Sequence, residues 1–556
     1  MDNSTTDPAE ALRRRTALPR LAALLAGALL ALIAFLTLPD TRAHGWDEAM
    51  HLELPAARML VALQQGEWGA FGDAFLDCSQ YPPGWPLVLS LWQSVCGISE
   101  SSARALGCLS LGMLAFGVYL VGLAAARSAL VAWLGFAIVA LSPLCWAYGG
   151  SLFLEVPFAA AAAFTLHAWL VREERVHGAQ CAGAWFTCAF FIKFNYGLML
   201  LAGLGGAWLL EVLLRRRREA LRDLFQLTAV PLVAGLLWFV LLRGAEHREA
   251  LLGFLGGNRD FSPTPAGVRS VHAGLFLFLS PRELLLVLVL ALLSLRRIAD
   301  VRVQAVWCVT LALSLPAWLH PFHLDRFLVP QILGPAALAG VGLLAPARSS
   351  AASPARRAWL AGLALLLCIP GDFDRLALAR SAGMLSAEPR IAEYQRGIYA
   401  RWNQLGIGRE LPTNGLDRGA HAAIAEALAR EAGPDLRVGW IGMASQFPPA
   451  ALHLARLERG MDPAAFLRES DRKLDLDYFG GGEGVDAARL AEFAQGFDRI
   501  CFTRPHAWRN DPARESMGRF VDELRASGWK EREVLRFEIE RPLAPALPVQ
   551  LWILEP

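Results

Sequence analysis

The feature that most constrains this chain is a series of apolar blocks of membrane-spanning length between Leu21 and Pro370, with none afterwards. A bilayer core of about 30 Å needs close to 20 apolar residues in a helix. Backbone groups inside it must be satisfied within the segment, so these blocks read as spanning helices. The composition agrees: 55% of the 556 residues are hydrophobic and 19% charged. That balance excludes a soluble single-domain enzyme, a disordered protein and a collagen-like or coiled-coil rod. The formal net charge of +2 sets 53 basic against 51 acidic residues, so no global field points to a nucleic acid. Nine cysteines in 556 residues are too few for a disulfide scaffold, and no C-x-x-C appears. Cys108, Cys145 and Cys368 sit in apolar runs and read as small core residues.

Charge sets the topology. The first block, residues 21–38, follows Arg13, Arg14, Arg15 and Arg20, which predicts a cytoplasmic N-terminus. No A-x-A cleavage site follows, so the block reads as a signal anchor rather than a cleaved leader. Further spans are expected over residues 104–126, 128–147, 156–171, 178–192, 197–214, 227–242, 280–295, 303–319, 327–344 and 359–370. With these eleven spans, Arg127, the Arg172 and Arg175 pair, the Arg215–Arg218 run, Arg296 with Arg297, and Arg356 with Arg357 all fall on the cytoplasmic side. Residues 82–97 are apolar but short and carry Pro82, Pro83 and Pro86, so they are expected to form a juxtamembrane or re-entrant helix. Counting them as a span would invert every arginine loop. Ser280-Pro281-Arg282-Glu283 reads as a capping box opening its span.

The fold expected is an α-helical polytopic membrane protein of about 11–13 spans with an extracytoplasmic C-terminal α/β domain. Residues 1–20 form a cytoplasmic tail, 21–370 the transmembrane domain with a large outside loop at 39–103, and 371–556 the outer domain. In that domain residues 437–441, 499–502 and 549–554 read as strands, and 416–432 and 512–527 as helices with charged outer faces.

Candidate chemistry gathers in the outside loops. Asp47-Glu48 stands just after the first span, where carboxylates are costly unless solvated or used. A helix is expected over residues 49–64, then come Gly66-Glu67-Trp68, then Tyr81-Pro82-Pro83-Gly84-Trp85-Pro86-Leu87, then Arg104. Further on come Ser151-Leu152-Phe153-Leu154-Glu155-Val156-Pro157-Phe158, then Phe190-Phe191-Ile192-Lys193-Phe194-Asn195-Tyr196-Gly197, and His320-Pro321-Phe322-His323-Leu324-Asp325-Arg326-Phe327-Leu328-Val329-Pro330. Lys193 is one of three lysines in the chain, with Lys473 and Lys530, so its place between apolar runs is notable. The ordinary readings are solvation for loop acids and for His320 and His323, a snorkelling stem for Lys193, an ion pair with Asp325 for Arg326, and an aromatic belt for Trp46, Trp68, Trp85 and Trp92.

In this order on a multi-span chain, the motifs resemble those of the GT-C membrane glycosyltransferases, especially the polyprenyl-phosphate-sugar branch of protein O-mannosyltransferases and the aminoarabinose transferase of lipid A. The resemblance covers roughly residues 21–340 and is densest over 45–104. Two positions depart from it: His51 stands where the family often has Tyr, and Tyr81 where it often has Lys. The resemblance implies a bacterial inner-membrane enzyme with an outward-facing site. That enzyme would move a sugar from a polyprenyl-phosphate donor to a hydroxyl of a lipid, glycan or protein acceptor with inversion. It implies Asp47 as general base, Glu48 in support and Glu155 as a second acid. Lys193 and Arg326 would hold the donor phosphate, with Arg259 or Arg269 replacing the missing lysine. No nucleotide-binding Gly-rich loop is needed for such a donor, and Asp47 with Glu155 could share a divalent cation such as magnesium or manganese. Two other classes fit the same sequence: an inert scaffold for envelope assembly and a membrane transporter, although transporters place polar groups at mid-membrane.

Overall fold

In a computed structural model of the chain, the described residues are 8–37, 44, 48–78, 81–215, 219–242, 281–319, 325–344, 362, 418–432, 438–441, 449–470, 494–504, 511–541 and 544–556. They divide into two compact units, one from residues 1–39 and 105–411 and the other from 40–104 and 412–556.

The spans expected from 21–38 to 327–344 fall on helical segments, 128–147 on two rather than one, and the last, 359–370, lies outside the described residues apart from Gly362. Among the described helices, Ala17–Thr37, Glu100–Ala126, Phe194–Leu214, Ala220–Leu242 and Arg326–Leu343 are long and apolar enough to cross a membrane. Ala129–Ala140, Gly178–Ile192 and Val301–Leu315 are shorter apolar helices. Burial sorts the long ones: Glu100–Ala126 and Arg326–Leu343 are each 83% buried, so they are central. Ala220–Leu242 is 17% buried and exposes Leu221, Phe225, Val233 and Leu241, an apolar surface suited to lipid tails.

Two local details depart from the sequence expectation. Residues 128–147 do not form one helix; Ala129–Ala140 ends and Pro143–Gly149 begins afresh. Pro143 cannot continue the preceding helix, and Ser142 Oγ accepts the Cys145 N–H to cap the new one. Arg172, read as a topology signal, is buried, donating to Asp223 at 3.1 Å, to the Trp169 carbonyl at 2.9 Å and to Glu211. One guanidinium thereby ties the end of helix Glu155–Leu170 to helices Phe194–Arg215 and Ala220–Leu236. The first span meets Glu100–Ala126 backbone to backbone. A Cβ on Gly112 would lie 2.2 Å from the Gly27 carbonyl oxygen, and one on Gly27 2.8 Å from that of Gly112. Small residues permit this approach where the surroundings give no hydrophobic drive.

The second unit joins the first loop to the chain's C-terminal part. A π turn, Ala49–Glu53, runs into helix Leu54–Gln65, followed by Trp68–Leu76 and Gly84–Cys96. The last has 13 residues, about 20 Å at 1.5 Å per residue, too short to span. Ala57, Val61 and Ala62 pack against Ala451, Leu454 and Phe466 from helices Pro449–Glu458 and Pro463–Ser470. Four strands follow: β1 Val438–Ile441, β2 Arg499–Arg504, β3 Lys530–Arg541 and β4 Ala544–Glu555, in the order β1-β2-β4-β3. Only the β1–β2 pair is parallel. Alternation along the strands builds two layers. Cys501, Leu551 and Ile553 meet Ile424 and Leu428 of helix Arg418–Ala432, while Ile500, Phe502 and Leu554 meet Phe520 and Leu524 of helix Asp511–Ala526. The three expected strands and two expected helices are present; β3 and the helices at 449–458 and 463–470 were not anticipated.

Candidate active site

Three residues far apart in sequence form one charged cluster in the membrane unit, with Glu155 and Lys193 buried and Arg326 partly so. Glu155 opens helix Glu155–Leu170, where a carboxylate faces the positive end of the helix dipole and Pro157 is tolerated in the first turn. Lys193 lies between helices Gly178–Ile192 and Phe194–Arg215 in an extended conformation (φ −151°, ψ 94°), so the helix breaks at the lysine. Arg326 comes from the 3₁₀ turn Asp325–Ile332 that leads into the late span. Lys193 Nζ donates to Glu155 Oε1 at 2.5 Å, and Arg326 Nε is 3.6 Å from the same oxygen. Glu155 is 1% and Lys193 3% exposed, which removes most solvent screening. Glu155 Oε2 is buried without a hydrogen-bond partner among the described residues.

Aromatic rings wall the cluster. Lys193 Nζ sits 4.9 Å from the Phe327 ring centre and 5.2 Å from that of Tyr196. The Arg326 guanidinium carbon is 4.3 Å from the Phe153 ring centre. Tyr196 donates its hydroxyl to the Phe327 carbonyl at 2.8 Å, which pins the two cation-bearing segments to each other. Faces of aromatic rings stabilise cations that have lost their water. Tyr196 and Phe153 lie within the segments the sequence singles out, three residues after Lys193 and two before Glu155. Their rings carry no charge pattern, so only packing reveals their part.

The first loop, in the other unit, carries its own buried polar set. Glu48 is fully buried at the start of the π turn, a rare geometry that often accompanies function. His44 Nδ1 is 2.7 Å from Glu53 Oε2 and 3.9 Å from Glu100 Oε1, and Arg104 Nη2 donates to Glu100 at 3.3 Å. Arg58 donates to Asp77 at 2.8 Å. The two positions that depart from the family pattern touch each other: the His51 and Tyr81 rings meet edge to face, 5.9 Å between centres.

Of the expected site residues, Glu155, Lys193 and Arg326 are thus brought together, and Glu48 belongs to the other unit. Asp47, Arg259, Arg269, His320 and His323 lie outside the described residues. Among the described residues no three His, Cys, Asp or Glu side chains gather as a metal site. Glu155 fits a divalent cation poorly, because its Oε1 already faces two positive groups.

No family model and no curated protein matches the sequence. Solved structures do match its shape. ArnT from Cupriavidus metallidurans in the apo state superposes with a TM-score of 0.56 at 16% identity, covering 97% of this chain and 98% of that one. The same protein bound to undecaprenyl phosphate gives 0.54 at 15%, covering 95% and 97%. The oligosaccharyltransferase AglB from Archaeoglobus fulgidus, in complex with an inhibitory peptide and a dolichol-phosphate, gives 0.47 at 12%, covering 87% and 69%. Over almost its whole length the chain shares the fold of ArnT, in line with the fold that the sequence resemblance leads one to expect.

Proposed function

We propose that this chain is a membrane glycosyltransferase that moves a sugar from a polyprenyl-phosphate donor to an acceptor hydroxyl on the outer face of a bacterial inner membrane. The observation that carries the reading is the Glu155–Lys193–Arg326 trio: two cations held against one buried carboxylate, on a fold shared with a protein solved with undecaprenyl phosphate bound. Lys193 supplies a point charge and Arg326 a planar fork, the two forms of cation that bind phosphate oxygens. Glu155 orients both when no phosphate is present. Arg259 and Arg269 are assigned as further phosphate contacts.

The chemistry needs little else, because the sugar–phosphate bond is already activated. The acceptor oxygen forms its bond to the anomeric carbon while the bond to the phosphate oxygen breaks on the opposite face. Polyprenyl phosphate leaves with that electron pair, its new charge met by Lys193 and Arg326. The hydroxyl proton passes to Asp47, with Glu48 in support, and the configuration inverts. A divalent cation, if bound, would offset charge on the departing phosphate. The orientation with the N-terminus inside and the C-terminal unit outside is part of the same proposal.

The test is transfer by the purified full chain in lipid, using sugar-labelled undecaprenyl phosphate and lipid, glycan and peptide acceptors. Label in the acceptor together with released undecaprenyl phosphate supports the reading. Binding of the donor without turnover would instead mark an inert scaffold. Movement of the intact donor across the bilayer would mark a transporter.

A further inference from the structure

Helix Glu155–Leu170 carries charge at both ends. Its 16 residues set Glu155 about 24 Å along the axis from its C-terminal end, at 1.5 Å per residue. Around that far end lies a cavity of about 480 Å³ that the transfer reaction does not use. Five arginines line it: Arg127, Arg172, Arg296, Arg297 and Arg302. Glu173, Glu211 and Asp300 are the acids in the lining. We infer that this cavity binds the phosphate headgroup of an anionic membrane lipid.

The arginines are not equally committed. Arg172 is engaged by Glu211 and Asp223, and Arg302 donates to Glu174 at 2.6 Å. Arg297 reaches Asp300 only at 3.4 Å, and Arg127 reaches Glu174 only at 3.7 Å with its side chain 72% exposed. Arg296 has no ion-pair or hydrogen-bond partner among the described residues. The arginines with weak or no partners, Arg127, Arg296 and Arg297, therefore share one cavity with two that are structurally fixed. Arg127 holds a left-handed backbone (φ 52°), unusual for a residue with a side chain, in the two-residue turn between helices Glu100–Ala126 and Ala129–Ala140.

A phosphate could reach this place on a lipid or free in solution. The surroundings favour the lipid. The rest of the wall is apolar: Trp169, Leu170 and Val301 stand among small side chains, Ala125, Ala207 and Ala305, which leave room for a glycerol backbone. Leu292, Leu295 and Ile298 are exposed beside Arg296 and Arg297, an apolar strip where acyl chains would lie. Basic pockets at the cytoplasmic ends of spanning helices bind anionic headgroups by this combination. The sidedness rests on the arginine-biased loops of the proposed topology; nothing in the inference requires the transferase chemistry.

The full chain, purified in detergent, should be titrated with phosphatidylglycerol, phosphatidylcholine and inorganic phosphate in turn, and the bound lipids counted by native mass spectrometry. Saturable retention of phosphatidylglycerol but not phosphatidylcholine is expected. The double variant Arg127→Gln/Arg296→Gln should weaken it about 30-fold, at roughly five-fold per arginine. Arg175→Gln changes an exposed cation in the neighbouring loop, outside the cavity lining, and should leave retention unchanged. Equal loss in Arg175→Gln would reduce the effect to diffuse surface charge. Displacement of the lipid by millimolar inorganic phosphate would make the ligand a soluble anion, and an unaffected double variant would remove the site altogether. Arg127 and Arg296 are both exposed, so unchanged thermal unfolding in detergent checks that the variant is folded.

Discussion

If Glu155 holds Lys193 and Arg326 in readiness for a phosphate, it also competes with that phosphate. Replacing it should therefore have an effect opposite in sign to replacing the lysine. Lys193 Nζ lies 2.5 Å from Glu155 Oε1, and a hydrogen bond to a charged partner contributes about 1.5–3 kcal/mol. Lys193→Met removes the cation, so the dissociation constant for undecaprenyl phosphate should rise roughly 10- to 150-fold, at tenfold per 1.4 kcal/mol. Glu155→Gln keeps the shape but removes the competitor, so the same ligand should bind more tightly, by up to the same factor. The unliganded Glu155→Gln protein should be less stable, because breaking one partner from a buried pair costs about 3–5 kcal/mol. Saturating ligand should restore that loss, giving a larger thermal shift on binding than in the wild type. Equilibrium binding of fluorescent undecaprenyl phosphate, with thermal unfolding in parallel, measures both. Weaker binding in Glu155→Gln, or unchanged binding in Lys193→Met, would refute the competitive arrangement.

Asp47→Asn should lower transfer by about 10²–10⁴ with donor binding intact, since the amide cannot take the acceptor proton; near wild-type turnover at saturating donor would remove Asp47 from the mechanism. Single cysteines in a cysteine-free background at Trp68, which is 72% exposed, and at Val176, 94% exposed, test the topology. An impermeant thiol reagent on spheroplasts should label the first and spare the second, and the reverse pattern would overturn the arginine-based orientation. His453 in the second unit is buried, stacked on Phe466, and held down to about 3 by desolvation and by the neighbouring Arg456 charge. The unfolded chain takes up a proton at this histidine near pH 6.5 and the folded chain does not. Its contribution to stability is thus complete above pH 6.5 and falls by roughly 1.4 kcal/mol per pH unit below it, down to about pH 3. Unfolding of the wild type and His453→Leu at pH 7.5 and 5 should show a smaller loss in the variant by about 2 kcal/mol; equal losses would contradict this.

What was legible in the sequence follows from how local each signal is. Hydrophobic blocks declare helices because lipid permits so few alternatives, and Glu155, Lys193 and Arg326 stood out as charges at block ends. The Ser142-Pro143 break hid inside a block whose mean hydropathy stayed high. Arg172 read as a topology mark because its partners, Glu211 and Asp223, stand 39 and 51 residues away. Strand β3 escaped notice because Lys530, Glu531, Arg532 and Glu533 open it with a run of charge. Its alternating Leu535, Phe537 and Ile539 make sense only once β4 lies beside it. Nor could spacing show that His51 and Tyr81, two separate departures from the family pattern, are one contact.

The second unit is assembled from two stretches, 40–104 and 412–556, separated by about 300 residues that carry membrane-spanning helices. Ribosomes add about 5–20 residues per second, so Ala57, Val61 and Ala62 wait roughly 20–80 s after synthesis, the time to add about 400 residues, before Leu454 and Phe466 exist to cover them. Throughout that interval the face that packs on residues 450–467 is an apolar surface with no mate. Biogenesis of this chain therefore calls for something to shield residues 49–62 on their own side of the membrane. A truncation ending before residue 449 would leave that surface bare permanently, and it should be cleared by proteolysis even though every described span is intact.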